Sequence, residues 1–117
     1  MVVGICRIVL SLPGNASLKG KRSVVKRILE RARSRFNVAA AEVDHMDVHQ
    51  RATLGFVVVS NDARHANSML DHITSFVSGA TEALVVDRRM EIAHFGDDFG
   101  IGSGVADSFD TLEDDDG

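Results

Sequence analysis

The chain of 117 residues has no tryptophan and no tyrosine, and Cys6 is its single cysteine. One cysteine excludes an intramolecular disulfide framework and a zinc site built from several thiolates. Six phenylalanines supply all the aromatic side chains, which leaves little material for stacking on nucleic-acid bases. No segment approaches the roughly 18 apolar residues of a membrane span, and the N-terminus lacks the pattern of a signal peptide. We therefore expect a cytoplasmic protein without membrane contact.

The net charge of −4 conceals a strong asymmetry along the chain. Residues 1–36 contain nine lysines or arginines and one acid, whereas residues 97–117 contain eight acids and no base. The chain without this acidic segment is net positive, at +4. A basic surface on the folded part is therefore expected, and with it an anionic partner.

Hydrophobic periodicity predicts six secondary-structure elements. Alternating apolar residues are typical of strands, and apolar residues at helical spacing after Ser17 and Asp62 indicate two capped helices. In the last strand the even positions Leu84, Val86, Met90 and Ile92 are apolar, whereas Asp87, Arg89 and Glu91 are not. The predicted strands cover about 2–12, 38–44, 51–60 and 83–94, and the first predicted helix about 18–35. The second helix is predicted to follow the cap at Ser60-Asn61-Asp62 and to stop at Gly79.

This order, β-α-β-β-α-β, predicts an α+β protein of the ferredoxin-like class. Two right-handed crossovers joined by a hairpin give a four-stranded antiparallel sheet with both helices on one face. The composition changes at Gly96 to glycine, serine and acidic residues, which is typical of a flexible segment. We expect a ferredoxin-like domain over residues 1–95 and a flexible acidic tail over residues 96–117.

Several ordered strings carry a family resemblance. They are Pro13-Gly14, Ser17-Leu18-Lys19-Gly20-Lys21-Arg22, Arg35-Phe36-Asn37-Val38, Ala41-Glu42-Val43-Asp44-His45, Gln50-Arg51-Ala52, Leu54-Gly55 and Val59-Ser60-Asn61-Asp62. Over residues 1 to about 93 the chain resembles the YlxP-like family of small bacterial proteins, also called domain of unknown function 503. The resemblance implies a ferredoxin-like fold and no established enzymatic activity. Because genes of the family commonly neighbour those for ribosome maturation and translation initiation, it also implies a role near RNA or the ribosome.

Two positions depart from the family pattern. Gly20 stands where the family commonly has glutamate, so the third-position carboxylate of a capping box is missing and Ser17 caps the helix alone. His49 stands where the family often has an aromatic residue, so the resemblance implies no metal role for it.

The first helix is predicted to carry a basic ridge. Lys19, Arg22, Lys26 and Arg33 fall within about 60° of one another on a helical wheel, and Glu30 is the only acid of the helix that can pair with them. A solvated helix face is the plain alternative, but an anionic partner is the simplest way to offset the repulsion. We predict contact with the phosphates of RNA or the ribosome through Lys19, Lys21, Arg22, Lys26, Arg33 and Arg51.

The predicted hairpin loop is rich in polar side chains. We expect it to act as a polar recognition loop through Asp44, His45, Asp47, His49 and Gln50. An extended segment would place His45, Asp47 and His49 on one face, as a divalent metal ion requires, and Asp44 with His45 could form an acid–base pair. No fourth ligand, nucleophile or cofactor motif accompanies them. We therefore predict no metal, no cofactor and no catalysis, and keep a metal-dependent enzyme as an alternative.

The face of the sheet away from the helices is predicted to be apolar. It would present Val3, Ile5, Val9, Val57 and Val59, interrupted mainly by Arg7 and Gly55. An open apolar sheet face usually has a cover, which here would be a second subunit, a protein partner or the tail. The alternative function is therefore a homo-oligomeric interaction domain with no RNA contact.

Two further expectations concern Cys6 and the tail. Cys6 is predicted to be a small buried core residue with no basic neighbour to make it reactive. The segment from Asp107 to Asp116 is predicted to compete with nucleic acid for Lys19, Arg22 and Lys26, with a plain solubilising extension as the alternative.

Overall fold

The computed structural model describes residues 1–80 and 82–96, and it has the predicted order of elements. The predicted tail, apart from Gly96, lies outside the described residues. The elements are β1 (Val2–Ser11), α1 (Leu18–Arg35), β2 (Ala39–Asp44), β3 (Arg51–Ser60), α2 (Ala63–Ser78) and β4 (Leu84–His94).

The four strands form one sheet in the order β2-β3-β1-β4, in which every neighbouring pair is antiparallel. β1 lies between β3 and β4, and Cys6 is aligned with Phe56 on one side and Met90 on the other. α1 and α2 bury apolar residues in one core with the even positions of β1 and β3. The prediction of a ferredoxin-like fold is confirmed.

The core follows from period-2 alternation in the strands and period-3.6 spacing in the helices. Its largest apolar side chains are fully removed from water, and each contributes about 1.5–3 kcal/mol through burial. Members of this set are Ile8, Leu10, Leu12, Leu54, Phe56, Val58, Leu70, Ile73 and Val77.

The first turn of α1 explains the glycine that departs from the family pattern. The Ser17 hydroxyl accepts a hydrogen bond from the Gly20 backbone N–H at 3.0 Å. The Asn15 side-chain amide donates to the carbonyls of Ser17 and His49, and a Cβ atom at Gly20 would collide with Asn15 Oδ1. Gly20 therefore leaves room for a side chain that ties the start of α1 to the hairpin loop.

The apolar even positions of β4 do not share one environment, because Leu84 and Val86 are exposed whereas Ile92 packs against the core. The pairing of β1 with β4 shifts between Val9 and Leu10, so that Val9 is aligned with Asp87 and Leu10 with Val85. One extra residue in β4 reverses the alternation beyond that point. Val85 consequently packs against the core, while Leu84 is 59% exposed.

Candidate nucleic-acid interface

The β1–α1 loop and the β2–β3 hairpin loop meet at one end of the domain, as the topology predicts. The Leu12 backbone N–H donates to the Gln50 carbonyl at 2.9 Å, and the Gln50 side-chain amide donates to the Asn15 carbonyl at 3.2 Å. The segment before β4 reaches the same end, because Glu82 lines a cleft with Pro13 and residues around it. Sequence-distant loops thus form one surface beside the start of α1.

Four cations of α1 form the basic ridge, which consists of Lys19, Arg22, Lys26 and Arg33. All four are exposed, and the ridge lies on the flank of α1 next to β2, because Arg33 donates to the Ala40 carbonyl at 2.6 Å. The four residues share one side of the helix, as predicted. The arrangement places a row of positive charge along the free edge of the sheet.

The members of the basic ridge differ in how far they are engaged. Arg33 is held by the Ala40 carbonyl, and Lys26 lies 4.0 Å from Glu30 in an exposed pair, which is worth little in water. Within residues 1–80 and 82–96, neither Lys19 nor Arg22 has an ion-pair partner. The N-terminal half of the ridge, beside the hairpin loop, is therefore its most available part.

The prediction that Lys21 contacts phosphate is wrong, because its side chain is buried. Its exposure is 0%, and its ammonium group lies 2.9 Å from a Glu42 carboxylate oxygen. It also donates to the carbonyls of His45 at 2.7 Å, Met46 at 3.1 Å and Arg51 at 3.4 Å. An ammonium with four oxygen partners has no hydrogen left for an external anion.

A sequence signal for the burial of Lys21 exists in the helical period. Lys21 precedes Val25 by four residues and shares the stripe of Ile28 and Ala32, which face the sheet. Its charge argues for exposure, but its position on the wheel argues for the core. β2 supplies Glu42 opposite this stripe, so the buried ammonium group of Lys21 has a partner. The position of Lys21 on the helix therefore determines its burial in spite of its charge.

Arg51 is exposed at the first position of β3, and its carbonyl accepts from Lys21. Asp47, His49 and Gln50 are exposed at the tip of the hairpin loop. These residues stand at the same end of the domain as Lys19 and Arg22, because Lys21 and Asn15 connect the loop to α1. The structure therefore brings Arg51 and the loop tip to the start of the basic ridge.

The predicted polar loop has an engaged part, Asp44 and His45, and an exposed tip that contains Asp47, His49 and Gln50. His45 has a positive φ of 60°, its backbone N–H donates to the Asp44 carboxylate at 2.8 Å, and its Nδ1 lies 2.7 Å from the Thr53 hydroxyl. Asp44 also lies 3.9 Å from Arg7. Among the described residues, no group of three or more His, Cys, Asp or Glu side chains is placed to hold a metal ion. The structure does not gather His45, Asp47 and His49 into one site.

The sheet face opposite the helices carries an exposed apolar area. The open-face patch consists of Val3, Ile5, Val57 and Val59, of which the last three are exposed and Val3 is half-buried. Val9 was predicted to belong to it, but its exposure is only 5%. Val9 is aligned with Thr53 of β3 and Asp87 of β4. The His45 side chain contacts Thr53 at this end of the sheet.

The prediction that Cys6 has no basic neighbour is also wrong. Cys6 is buried, and the Arg88 side chain, which donates to Asp71 of α2 at 2.8 Å, lies close enough to the thiol to interact with it. Burial by itself lowers the pKa of Arg88, but the hydrogen bonds and attraction from Cys6 and Asp71 raise it by more. The position of Arg88 in the register, opposite Ile8, turns its side chain toward the helices.

Sequence reasoning missed the groove between α1 and α2. Arg27 and Arg31 line a cleft of about 450 Å³ there, together with Ser75 and Phe76 of α2. Arg27 pairs with Glu82 at 3.2 Å. The spacing of Arg27, Arg31 and Arg35 by four residues marks a second basic row on α1, but only the packing of α2 beside it makes a groove.

Neither described helix is both long enough and apolar enough to cross a membrane.

Comparisons with known proteins identify the sequence family. The family described as a protein of unknown function, DUF503, matches residues 3–90. The uncharacterized protein YlxP of Bacillus subtilis (strain 168) is 36% identical over 66 residues, which are 56% of this chain and 72% of that protein.

Two solved structures resemble the fold. A de novo designed protein with a ferredoxin fold has a TM-score of 0.48 and 11% identity, with 86% of this chain and 93% of that chain covered. SnoaB, a cofactor-independent oxygenase from Streptomyces nogalater, has a TM-score of 0.40 and 14% identity, with 84% and 95% covered.

Proposed function

We propose that this chain, which belongs to the DUF503 family of proteins of unknown function, is a cytoplasmic, non-catalytic accessory protein of RNA or the ribosome. It contacts phosphate through the basic ridge. The proposal rests on Lys19 and Arg22, which are exposed at the start of α1 and have no ion pair among the described residues. Lys21, which the same sequence motif contains, takes no part because it is buried.

The dimensions of the ridge suit a phosphodiester chain. At 1.5 Å per residue, Lys19 and Arg33 stand about 21 Å apart along the helix axis, which is room for several consecutive phosphates. Cations that repel one another on one helix flank gain most from a polyanion, because each phosphate contact releases condensed counterions. A row of this kind fits a backbone better than it fits a single free nucleotide.

The hairpin loop adds a second contact in this proposal. Arg51 supplies a further cation, and the exposed side chains of Asp47, His49 and Gln50 supply donors and acceptors beside it. Phosphate contacts by themselves carry no sequence information. The loop tip is therefore the part of the interface that gives shape or local selectivity.

A matched pair of double variants tests the ridge. Lys19→Ala with Arg22→Ala removes two charges from the ridge, and Arg64→Ala with Arg89→Ala removes two exposed charges elsewhere. Binding of a labelled RNA is measured by fluorescence anisotropy at several salt concentrations. The ridge variant is expected to bind more weakly and with a shallower salt dependence, whereas the control stays close to the unaltered protein. Equal losses in the two variants would reject a localised phosphate site.

The open-face patch favours a second candidate function, a homo-oligomeric interaction domain. Ile5, Val57 and Val59 are exposed side by side on a sheet face without a helix, and contiguous apolar areas of this kind mark interaction sites. Sedimentation velocity with and without Val57→Asp tests this candidate. A defined oligomer that Val57→Asp dissociates supports it, and a monomer in both samples rejects it.

A further inference from the structure

We propose that the groove between α1 and α2 receives one unstacked nucleotide of a single-stranded RNA, with the base against Phe76 and the phosphate at Arg31. The inference takes its ligand class from the proposed function, but it uses residues outside the basic ridge and the hairpin loop.

Arg27 and Arg31 line the α1 side of the groove, and Arg35 lines a neighbouring recess that shares Ser75 and Phe76 with it. Arg27 and Arg35 are already engaged. Arg27 pairs with Glu82 at 3.2 Å. The Arg35 guanidinium lies 5.7 Å from the centre of the Phe76 ring and 5.9 Å from that of Phe36. Arg31, between them, is exposed and has no ion pair within the described parts of the chain. It is a cation held at the mouth of a cleft and available for an anion.

An aromatic pair lies beside the groove, where Phe76 lines it and Phe36 lines the neighbouring recess. Phe36 and Phe76 meet edge to face with centres 5.9 Å apart, and both are half-buried. Phe56, by contrast, is fully buried in the core. Unpaired bases stack on aromatic rings and on arginine planes. Phe76 and Arg35 together offer an aromatic ring and a guanidinium plane on which a base can stack.

The size of the groove matches a single nucleotide. The cleft beside Arg31 has a volume of about 450 Å³. A recess of about 470 Å³ that shares Ser75 and Phe76 with it is lined also by Arg35 and His72. Cavities of a few hundred cubic ångströms are typical of small-ligand sites. Cations, a hydroxyl and an aromatic edge together suit a phosphate, a sugar and a base.

A base can enter this groove only after it has left its stack. A single strand offers such bases, whereas a duplex has to break a pair first, which costs a few kcal/mol. Groove variants should therefore weaken the binding of single strands and leave duplex binding unchanged. Variants of the basic ridge, which contacts only phosphate, should weaken both.

The experiment measures the affinity of the full chain for a labelled single-stranded RNA and for the duplex of the same sequence. The variants are Arg31→Ala and Phe76→Leu, with Arg64→Ala on α2 as the control and the ridge double variant Lys19→Ala with Arg22→Ala as the reference. Loss of one stacked base lowers affinity roughly 5- to 150-fold. We expect Phe76→Leu to lower single-strand affinity at least about fivefold and to leave duplex affinity unaltered.

A second measurement covers the case in which Phe76→Leu disturbs folding. Adenosine monophosphate is titrated into the unaltered protein and into Arg31→Ala, and backbone amide shifts are recorded by NMR. Shifts centred on Ser75 and Gly79 that Arg31→Ala abolishes support the groove. Shifts of equal size in both proteins, or none there, overturn it.

The outcomes separate this inference from the proposed function. Weaker binding in the ridge variant alone overturns the groove and leaves the function standing. Single-strand losses in the groove variants alone support the groove and overturn the role of the ridge. Absence of RNA binding overturns both. Binding of polyglutamate that depends on Arg31 but not on Phe76 overturns the nucleotide in favour of an acidic peptide.

Discussion

Two neighbouring residues of α1 show how the same charge serves two purposes. Lys21 is enclosed by Glu42 and three backbone carbonyls, whereas Arg22, the next residue, is exposed and without an ion pair among the described residues. The difference is one step of about 100° around the helix. A cation whose donors are all taken holds structure together, and a cation without partners is available to a ligand.

The largest effect on stability is expected at Lys21. Lys21→Met should lower the free energy of unfolding by about 3–5 kcal/mol, because it leaves Glu42 charged and mostly buried without its partner. Arg22→Ala should leave stability nearly unchanged, as surface substitutions usually do. Urea unfolding followed by circular dichroism measures both. Similar losses of unfolding free energy at the two positions would show that the buried Lys21 contributes no more to stability than the exposed Arg22.

A smaller effect is expected where Gly20 meets Asn15. A Cβ atom at Gly20 displaces the Asn15 side chain, which then loses its hydrogen bonds to the carbonyls of Ser17 and His49. Gly20→Ala should therefore cost about 1 kcal/mol of stability, although alanine is the better helix former.

The control for this prediction is the same change in an Asn15→Ala background. With the obstructing side chain removed, Gly20→Ala should be neutral or stabilising, by up to about 1 kcal/mol. A double-mutant cycle from thermal unfolding gives the coupling between the two positions. A coupling free energy near zero would show that the Asn15 side chain does not require a glycine at position 20.

The smallest effect is expected from the acidic tail, which lies outside the described residues. Residues 97–117 carry eight acids and no base, and we predict that these charges compete with RNA for Lys19, Arg22 and Lys26 at low ionic strength. Deletion of these residues should raise the affinity for non-specific RNA at low salt and matter little above physiological salt, where screening acts within about 8 Å. Anisotropy titrations of both proteins measure this, and equal affinities at low salt would leave the tail as a spacer.

The fold was predictable because its signals are local and mutually consistent. The even positions of β1 from Val2 to Leu10 and of β3 from Ala52 to Val58 are all buried. Ser17 and Asp62 cap the helices, and Gly79 ends α2. The register shift opposite Val9 and Leu10 was not predictable, because an extra residue in a strand has no signature in the apolar pattern of β4. That one irregularity exposes Leu84 and Val86.

The candidate site was predictable only in part, since side-chain chemistry and position can disagree. The wheel placed Lys19, Arg22, Lys26 and Arg33 together correctly. Lys21 was assigned by its charge, although its phase with Val25 and Ala32 predicts burial. The groove at Arg31 and Phe76 depends on how α2 packs beside α1, and no pattern within either helix contains that information.

The most direct test of the central claim is the salt dependence of RNA binding for the unaltered protein and for the triple variant Lys19→Ala, Arg22→Ala, Lys26→Ala. The slope of log affinity against log salt concentration counts the phosphates that are neutralised, and each lost contact reduces it by about 0.7–0.9. We predict that the triple variant shows a slope shallower by about 2–3. Binding that does not depend on salt, or an unchanged slope in the triple variant, would contradict the account.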